Sequence, residues 1–278
     1  MVLSAINHIP ARKSSTARPH VTAHCAAACC SMDLFGSDGS DDSDGEEAPR
    51  PEACGVLQFH NGTEDELLRV VAADAARGDA SDTLAVIDRF CRSRHWMMHV
   101  GDVKGAILRA AAARAAPGLW VELGAYCGYS AVLLASQMQS GTLVSLDTEA
   151  RCVAWSRQLV EHAGLSAKVK VLQSSPDETA SEALRREIPS PRIQLLFVDH
   201  AKDRYLADLV ALEPYLAAGC VVVADNVLCF DGGASLKPYL EHVRDTTRYA
   251  SSTLHEAPVE YSDGEPDGVE VSVFRGVT

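Results

Sequence analysis

The hydrophobic positions of this chain become periodic from about residue 64 onward. Leu84, Ile87 and Phe90 recur at the spacing of one helix face, which predicts an amphipathic helix, and a second helix is predicted over 103–114. After them, short apolar runs alternate with helical segments. The predicted strands are 119–123, 142–146, 169–172, 193–198 and 220–224, and the predicted helices are 130–138, 149–162, 178–187, 204–216 and 234–244. This part of the chain therefore predicts one regular, ordered domain.

The alternation of strands and helices indicates an α/β fold. Such a chain builds a doubly wound, mostly parallel sheet with helices on both faces, because each parallel strand needs a crossover to reach the next. The predicted strands are short and almost continuously apolar, as expected of parallel strands that are buried on both sides. The last two segments, 249–255 and 269–274, alternate like strands and predict a C-terminal antiparallel pair.

The first 55 residues differ from the rest of the chain. The first 32 contain no Asp or Glu but carry Arg12, Lys13 and Arg18, which is typical of an organelle transit peptide and equally of a disordered tail. The stretch 36–47 is rich in Gly, Ser, Asp and Glu and is predicted to be disordered. We therefore divide the chain into an extension, 1–55, and an ordered domain, 56–278. The expected location is the cytoplasm, or an organelle if the extension is a transit peptide.

Composition narrows the class of function. The formal net charge of −13 disfavours nucleic-acid binding, because phosphate contacts need clustered Lys and Arg. No apolar run approaches the ~18 residues of a transmembrane helix. The nine cysteines are odd in number and lack CxxC spacing, which argues against a disulfide framework and for a reducing compartment. We expect a monomer without nucleic-acid partners and without a transmembrane segment.

Four of the predicted strands are followed at once by a glycine or an acid. These residues are Gly124, Asp147, Asp199 and Asp225. In a doubly wound sheet, ligands bind just outside the carboxyl ends of the strands. Four such ends therefore face one crevice, and this placement favours an enzyme.

The turn after the first predicted strand reads VELGAYCGYS (121–130). Glycine at a strand end allows a ligand to approach the backbone closely. The turn lacks the third glycine that dinucleotide enzymes use at a pyrophosphate, and Asp147, 23 residues after Gly124, is placed to accept hydrogen bonds from ribose hydroxyls. Adenosine without pyrophosphate fits S-adenosylmethionine (SAM) better than NAD. An ordinary tight turn followed by a loop acid would have the same pattern.

A second group of polar residues follows two other strands. Asp199, Asp225 and Asn226 offer hard oxygen ligands, which suit Mg²⁺ with positions left open for water or substrate oxygens. Lys202 stands three residues after Asp199. Taken singly, such residues also occur in plain surface loops, so the prediction depends on their joint arrangement.

Four segments of the chain resemble catechol O-methyltransferases. They are HWMMHVGDVKG (95–105), VELGAYCGYSAV (121–132), FVDHAKDRYL (197–206) and VADNV (223–227), and they occur in the family's order. The likeness extends from about Leu84 to Gly276. It implies a Rossmann-like class I methyltransferase fold. It also implies transfer of a methyl group from SAM to one hydroxyl of a catechol-type vicinal diol that is chelated to Mg²⁺.

The resemblance assigns residues to a site. Positions that match cofactor contacts are Val100, Glu122, Gly124, Tyr126, Ser130, Asp147, Ser175 or a neighbour of it, and Asp199. The matching metal ligands are Asp199, Asp225 and Asn226, and the matching substrate contacts are Trp96, Met98, Lys202, Asn226 and Glu260. Lys202 matches the general base that takes the hydroxyl proton, and Glu260 matches the carboxylate that holds the second hydroxyl.

Three positions depart from the family pattern. Ala201 replaces a tryptophan that packs on the adenine, His99 replaces an asparagine near the metal and cofactor, and Phe230 falls near a proline of the substrate gate. These changes bear on cofactor affinity and on the choice of substrate. Tyr205, in the same motif as Lys202, is expected to anchor the following helix.

Other functions stay open beside this one. One alternative is a Mg²⁺-dependent methyltransferase of another vicinal diol, such as a caffeoyl ester or a flavonoid. A non-catalytic relative that serves as a binding partner is disfavoured, because such a protein has no need of Asp199, Lys202 and Glu260 together. A nucleotide-dependent oxidoreductase is disfavoured by the missing pyrophosphate turn.

Overall fold

The computed structural model describes residues 62–229 and 231–276. The α-helices are α1 (Thr63–Asp74), α2 (Ala80–Ser93), α3 (Gly101–Ala112), α4 (Tyr129–Gln137), α5 (Ala150–His162), α6 (Ala180–Glu187), α7 (Tyr205–Leu212) and α8 (Lys237–Val243). The strands are β1 (Gly118–Leu123), β2 (Gly141–Asp147), β3 (Val169–Gln173), β4 (Ile193–Val198), β5 (Leu216–Ala224), β6 (Tyr249–Pro258) and β7 (Pro266–Phe274). The predicted extension 1–55, with its transit-peptide and disorder interpretations, lies outside the described residues, as does Phe230.

The strands form a seven-stranded sheet in the order β3-β2-β1-β4-β5-β7-β6. Strands β1 to β5 are parallel, and β7 pairs antiparallel with both β5 and β6. Strands β2 and β3 lie on one side of β1, and β4 and the strands that follow it lie on the other side. The strand order therefore reverses between β1 and β4, which is where doubly wound sheets open a ligand crevice. The predicted α/β fold with its C-terminal antiparallel pair is confirmed.

Helices cover both faces of the sheet because the central strands are apolar on both sides. In β4, Leu195 and Phe197 pack into the core that contains residues of α1 to α5, whereas Leu196 and Val198 pack into the core that contains residues of α6 to α8. All four side chains are fully buried. Burial of each contributes about 1.5–3 kcal/mol, and the alternation along the strand divides this contribution between the two layers.

Two helical segments differ from the sequence-based prediction. Helix α1 was not predicted, although Leu67 and Val71 form its buried face. The predicted helix 204–216 is divided in the structure: α7 ends at Leu212 and a 3₁₀ turn, Glu213–Tyr215, follows it, because Pro214 has no amide hydrogen with which to continue the α-helix. Leu216 already belongs to β5. The predicted helix therefore extends one residue too far.

The cysteines of the described residues are free thiols. They are Cys91, Cys127, Cys152, Cys220 and Cys229, and all five are buried. Within the described ranges these five cysteines form no disulfide. In the same ranges, every helix is too short or too polar to cross a bilayer.

Candidate active site

The carboxyl ends of β1, β4 and β5 place the predicted site residues side by side. The amide of Asp199 donates a hydrogen bond to the carbonyl of Leu123 at 2.9 Å, and the amide of Asp225 donates to the carbonyl of Val198 at 3.1 Å. The sheet ladder thus continues one step beyond the strands. It fixes Asp199 between Asp225 and Gly124, the residue that follows β1.

Gly124 is required where β1 meets the loop after β4. Its φ is 98°, a left-handed conformation that favours glycine. A Cβ atom at this position would lie 2.1 Å from the carbonyl oxygen of Asp199. The close approach of these two backbones therefore depends on the missing side chain, and it sets the distance between the predicted cofactor turn and the predicted metal ligands.

Left-handed backbone also marks three non-glycine residues. Within residues 62–229 and 231–276, the non-glycine residues with positive φ are Tyr126 (43°), Asn226 (53°) and Tyr261 (54°). Such conformations cost of order 1–3 kcal/mol and persist where the surroundings enforce them. Tyr126 and Asn226 are predicted site residues, and Tyr261 follows Glu260. Backbone strain in the described chain is thus concentrated around the candidate site.

Glu122 offers a buried acceptor on the cofactor side. Its side chain is fully buried, and its Oε2 accepts a hydrogen bond from the Ser145 hydroxyl. The hydroxyl of Ser130 is a further hydrogen-bond partner. The other oxygen, Oε1, has no hydrogen-bond partner among the described residues. Burial raises the pKa of Glu122 to about 7. An ammonium group would satisfy this oxygen, so the residue fits the predicted contact with the methionine end of SAM.

Asp147 lies against the turn after β1. Its Oδ2 accepts hydrogen bonds from the amides of Ala125 and Tyr126, each at 3.0 Å. Its Oδ1 accepts from the amide of Glu149 at 2.9 Å. A carboxylate has about four acceptor sites, so one remains for a ribose hydroxyl. The structure shows how Asp147 shapes the turn, and its ribose contact stays a prediction.

The other predicted cofactor residues are spread over several elements. Val100 is buried just before α3, and the hydroxyl of Tyr126 donates to Glu64 at 3.2 Å. Ser175 is exposed beyond the end of β3, where its amide donates to the Glu178 carboxylate at 2.6 Å. Ser175 therefore lies outside the cluster formed by the ends of β1, β4 and β5.

Two of the three predicted metal ligands, Asp199 and Asn226, lie beside the amino group of Lys202. Its Nζ lies 3.4 Å from Oδ1 of Asp199 and 3.1 Å from Oδ1 of Asn226. It also donates to the hydroxyl of Tyr205 at 2.6 Å. Asp225 is buried beside them, and its Oδ1 has no partner among the described residues. Burial raises the pKa of Asp199, and the ammonium group of Lys202 partly opposes this rise.

A second lysine, Lys104, lies beneath this group. It comes from α3, its side chain is 0% exposed, and its Nζ lies 3.0 Å from Oδ2 of Asp225. The same nitrogen lies 2.9 Å from Oε2 of Glu260 and 2.9 Å from Oδ2 of Asp267. Asp267 in turn accepts a hydrogen bond from Nδ2 of Asn226 at 2.8 Å. Three buried carboxylates therefore share one ammonium group.

Glu260 is held in place by its backbone as well as by Lys104. The indole nitrogen of Trp96 donates to the Glu260 carbonyl at 2.8 Å. A Cβ atom on Gly101, where φ is 65°, would lie 3.1 Å from Cβ of Glu260, so the start of α3 packs closely on it. Trp96 and Met98 are half-buried, whereas Met97 is in the core. Trp96 thus lies beside the buried Glu260, and Trp96 and Met98 are both partly accessible to solvent.

The donor set fits a divalent cation. With all groups ionised, the four carboxylates of Asp199, Asp225, Glu260 and Asp267 face the two ammonium groups of Lys104 and Lys202, which leaves two negative charges in excess. The free Oδ1 of Asp225 supplies an open ligand position. In the described part of the chain no three His, Cys, Asp or Glu side chains form a ready-made cluster. The fit therefore rests on two carboxylates and one amide.

His99 and Ala201, which depart from the family pattern, differ in burial. His99 is buried between the rings of Tyr126 and Tyr129, with ring centroids 5.2 Å and 5.4 Å away. Burial lowers the pKa of His99 to about 3, so the imidazole is neutral at working pH. Ala201 is exposed before the short 3₁₀ turn Lys202–Arg204.

Three residues that sequence reasoning missed complete the site. Lys104 and Asp267 were not assigned any role, and Tyr205 was expected only to anchor α7. The signal for Lys104 was present: it shares the buried face of α3 with Gly105 and Leu108, where a lysine is out of place unless it is paired. The partners of this lysine are not visible in the pattern, since Asp267 is 163 residues away in the sequence.

Known proteins resemble this chain in sequence and in fold. Residues 121–227 match the family model of a methyltransferase domain. Catechol O-methyltransferase B of Danio rerio is 36% identical over 213 residues, which cover 76% of this chain and 78% of that protein. The catechol O-methyltransferase of Mus musculus is 34% identical over 216 residues, covering 77% and 79%. A structure of an O-methyltransferase from Streptomyces achromogenes, in complex with SAM, superposes with a TM-score of 0.57 at 20% identity, over 76% of this chain and 99% of that chain.

Proposed function

This chain belongs to the catechol O-methyltransferase family and is an O-methyltransferase, and we propose that it moves a methyl group from SAM to one hydroxyl of a catechol-type vicinal diol held at Mg²⁺. The observation that carries the proposal is the grouping of Lys202 with the side-chain oxygens of Asp199 and Asn226 at one edge of the sheet. Glu260 is joined to this group through Lys104.

We assign the metal to Asp199, Asp225 and Asn226. Carboxylate and amide oxygens are ligands that Mg²⁺ prefers, and a small number of them leaves positions for substrate oxygens. A divalent cation bound there would lower the pKa of a chelated hydroxyl. The excess negative charge and the free Oδ1 of Asp225 support this assignment.

Lys202 is the proposed general base. Its Nζ lies among the ligand oxygens, where a chelated hydroxyl would be within reach. Lys202 must be uncharged when it accepts the hydroxyl proton. The acceptor oxygen then forms a bond to the methyl carbon, while the carbon–sulfur bond of SAM breaks and its electron pair stays on sulfur. Tyr205 orients the amine by accepting a hydrogen bond from it.

Glu260 and the residues around it would orient the acceptor. The buried carboxylate of Glu260 would accept a hydrogen bond from the second hydroxyl of the diol, and Trp96 holds its backbone in position. On the other side, the free Oε1 of Glu122 would bind the ammonium of SAM. Holding both reactants in contact supplies much of the acceleration in such a reaction.

The test is methyl transfer from radiolabelled SAM to a panel of acceptors. Catechol, a caffeoyl ester, a flavonoid and a monophenol are each assayed with Mg²⁺ and with a chelator. We expect transfer to catechol, little transfer to the monophenol, and loss of activity in the chelator that added Mg²⁺ restores. If the ester or the flavonoid is turned over faster than catechol, that acceptor class is the substrate. Turnover that persists in the presence of the chelator would refute the proposed requirement for Mg²⁺.

A further inference from the structure

We propose that Lys104 is a positioning residue that acts as an internal counter-ion of the metal site and weakens the site's affinity for a divalent cation. The inference rests on the proposed function, because it concerns the same ligands. Lys104 is on α3, outside the strand-end motifs that supply the ligands themselves. Its side chain is 0% exposed, so its charge is compensated only by protein groups.

Lys104 determines which side-chain oxygens of the neighbouring residues are left for a cation. Its Nζ takes Oδ2 of Asp225 at 3.0 Å and leaves Oδ1 without a partner among the described residues. Its contact with Oδ2 of Asp267 at 2.9 Å holds the carboxylate that receives Nδ2 of Asn226 at 2.8 Å. That hydrogen bond turns Oδ1 of Asn226 toward Lys202. One ammonium group therefore orients two of the three proposed ligands.

The same ammonium group competes with a bound cation. A cation held by Oδ1 of Asp225 would share that carboxylate with Lys104, and the two positive charges would repel each other. Water screens this repulsion weakly, because Lys104, Asp225 and Asp267 are buried. The site therefore binds a divalent cation less tightly than its carboxylates would in the absence of Lys104. When no cation is bound, the positive charge of Lys104 offsets the repulsion among the three adjacent carboxylates of Asp225, Glu260 and Asp267.

Lys104 also connects the metal residues to the proposed substrate residue. Its Nζ lies 2.9 Å from Oε2 of Glu260, so Asp225 and Glu260 share one counter-ion. A change of charge at Asp225 or Glu260 therefore alters the electrostatic energy of the other carboxylate, because the buried ammonium group that both contact has no access to water. The positions of the metal ligand and of the diol-orienting carboxylate are thus set together.

The test is binding of Mg²⁺, by calorimetry, and of Mn²⁺, by electron paramagnetic resonance, to Lys104→Met. We expect both dissociation constants to fall at least tenfold. Without metal, the melting temperature of the variant should be lower than that of the wild type. Saturating Mg²⁺ should recover most of this loss, because the cation replaces the missing positive charge. Methyl transfer should fall, because Glu260 loses its anchor.

Asp267→Asn provides the opposite change of charge. It removes one carboxylate near the site, and we expect Mg²⁺ to bind at least tenfold more weakly. The double variant K104M/D267N restores the charge balance and should bind Mg²⁺ within a few-fold of the wild type. If a role in packing were the whole role of Lys104, both single variants would bind Mg²⁺ more weakly or unchanged.

A matched control is Arg244→Met. Arg244 pairs at 2.8 Å with Glu270, a fully buried carboxylate on β7 like Asp267, but it touches no proposed ligand. This variant should lose stability with unchanged affinity for Mg²⁺. If K104M does not fold, K104M/D267N is compared with D267N, and removal of the lysine should again tighten binding.

The outcomes separate the two proposals. Wild-type protein that binds Mn²⁺, together with a Lys104 variant whose affinity is equal or weaker, overturns the inference and leaves the metal site standing. Wild-type protein that binds neither ion overturns both.

Discussion

The amino nitrogen of Lys202 lies 2.6 Å from the hydroxyl oxygen of Tyr205. The Tyr205 side chain is fully buried, and its hydroxyl donates to the carbonyl of Asp225 at 3.1 Å. Since its own hydrogen is used there, the oxygen can only accept from Lys202. One hydroxyl thereby links the proposed base to the backbone of a proposed metal ligand.

Tyr205→Phe should impair turnover more than binding. Loss of a hydrogen bond of roughly 1.5 kcal/mol corresponds to a decrease in kcat of about tenfold, with the KM for SAM unchanged. Steady-state kinetics measure both. Tyr239→Phe is the matched control, because Tyr239 packs on the Tyr205 ring and its buried hydroxyl has no hydrogen-bond partner among the described residues. Equal losses in the two variants would contradict the positioning role.

Lys202→Met should remove the base and keep the site. We expect kcat to fall by about 10²- to 10⁴-fold, the usual contribution of a positioned general base. SAM affinity, measured by calorimetry, should stay within a few-fold, because the residues facing SAM are untouched. Lys237→Met removes an exposed lysine of α8 and should leave kcat unchanged. A K202M enzyme with more than half of the wild-type rate would exclude Lys202 as the base.

The affinity for SAM should depend on pH through Glu122. Because burial raises the pKa of Glu122 to about 7, the carboxyl is protonated at lower pH and must lose its proton to pair with the ammonium of SAM. We expect binding at pH 6 to be roughly tenfold weaker than at pH 8. Calorimetry in buffers of different ionisation enthalpy should also show proton release at pH 6. Both effects should disappear in Glu122→Gln, and a pH-independent wild type would contradict the assignment.

The same carboxyl should make the SAM-free protein less stable as pH rises. The pKa of Glu122 is about 7 in the folded protein, against 4.5 for an unperturbed glutamate, so the folded state binds more protons in this window. The free energy of unfolding should therefore fall between about pH 4.5 and pH 7, by up to about 3 kcal/mol from this residue. Urea unfolding of the wild type and Glu122→Gln at pH 5 and pH 7.5 measures the difference. An equal change of the free energy of unfolding with pH in both proteins would contradict the raised pKa of Glu122.

Gly124→Ala should disrupt the site through the backbone. The new Cβ would lie 2.1 Å from the Asp199 carbonyl oxygen, so β1 and the loop after β4 must separate. We expect a loss of more than about 3 kcal/mol and loss of SAM binding. Gly219→Ala is the control, since Gly219 also has positive φ (81°) but has no atom within 4 Å of the added Cβ. That variant should cost about 1–2 kcal/mol and retain SAM binding.

The sequence predicted the sheet well and the ends of some helices poorly. Apolar runs and helical spacing report local burial, and the alternation of the two was enough to predict parallel strands around a crevice. The same signal carried the predicted helix 204–216 one residue into β5 and did not separate α7 from the 3₁₀ turn Glu213–Tyr215. Pro214 marks this change, and a single proline is a weak signal.

The order of residues along the chain already specifies which residues follow the strands, and therefore that Gly124, Asp199, Asp225 and Asn226 meet at one edge of the sheet. Strand order and right-handed crossovers leave little freedom there. Only the tertiary packing sets which donor group each side-chain oxygen of the site faces. It placed Lys104 of α3 beside Asp267 of β7, 163 residues apart in the sequence, and it turned Asn226 through that pair. Periodicity reports whether a side chain is buried, but its partner depends on how distant elements pack.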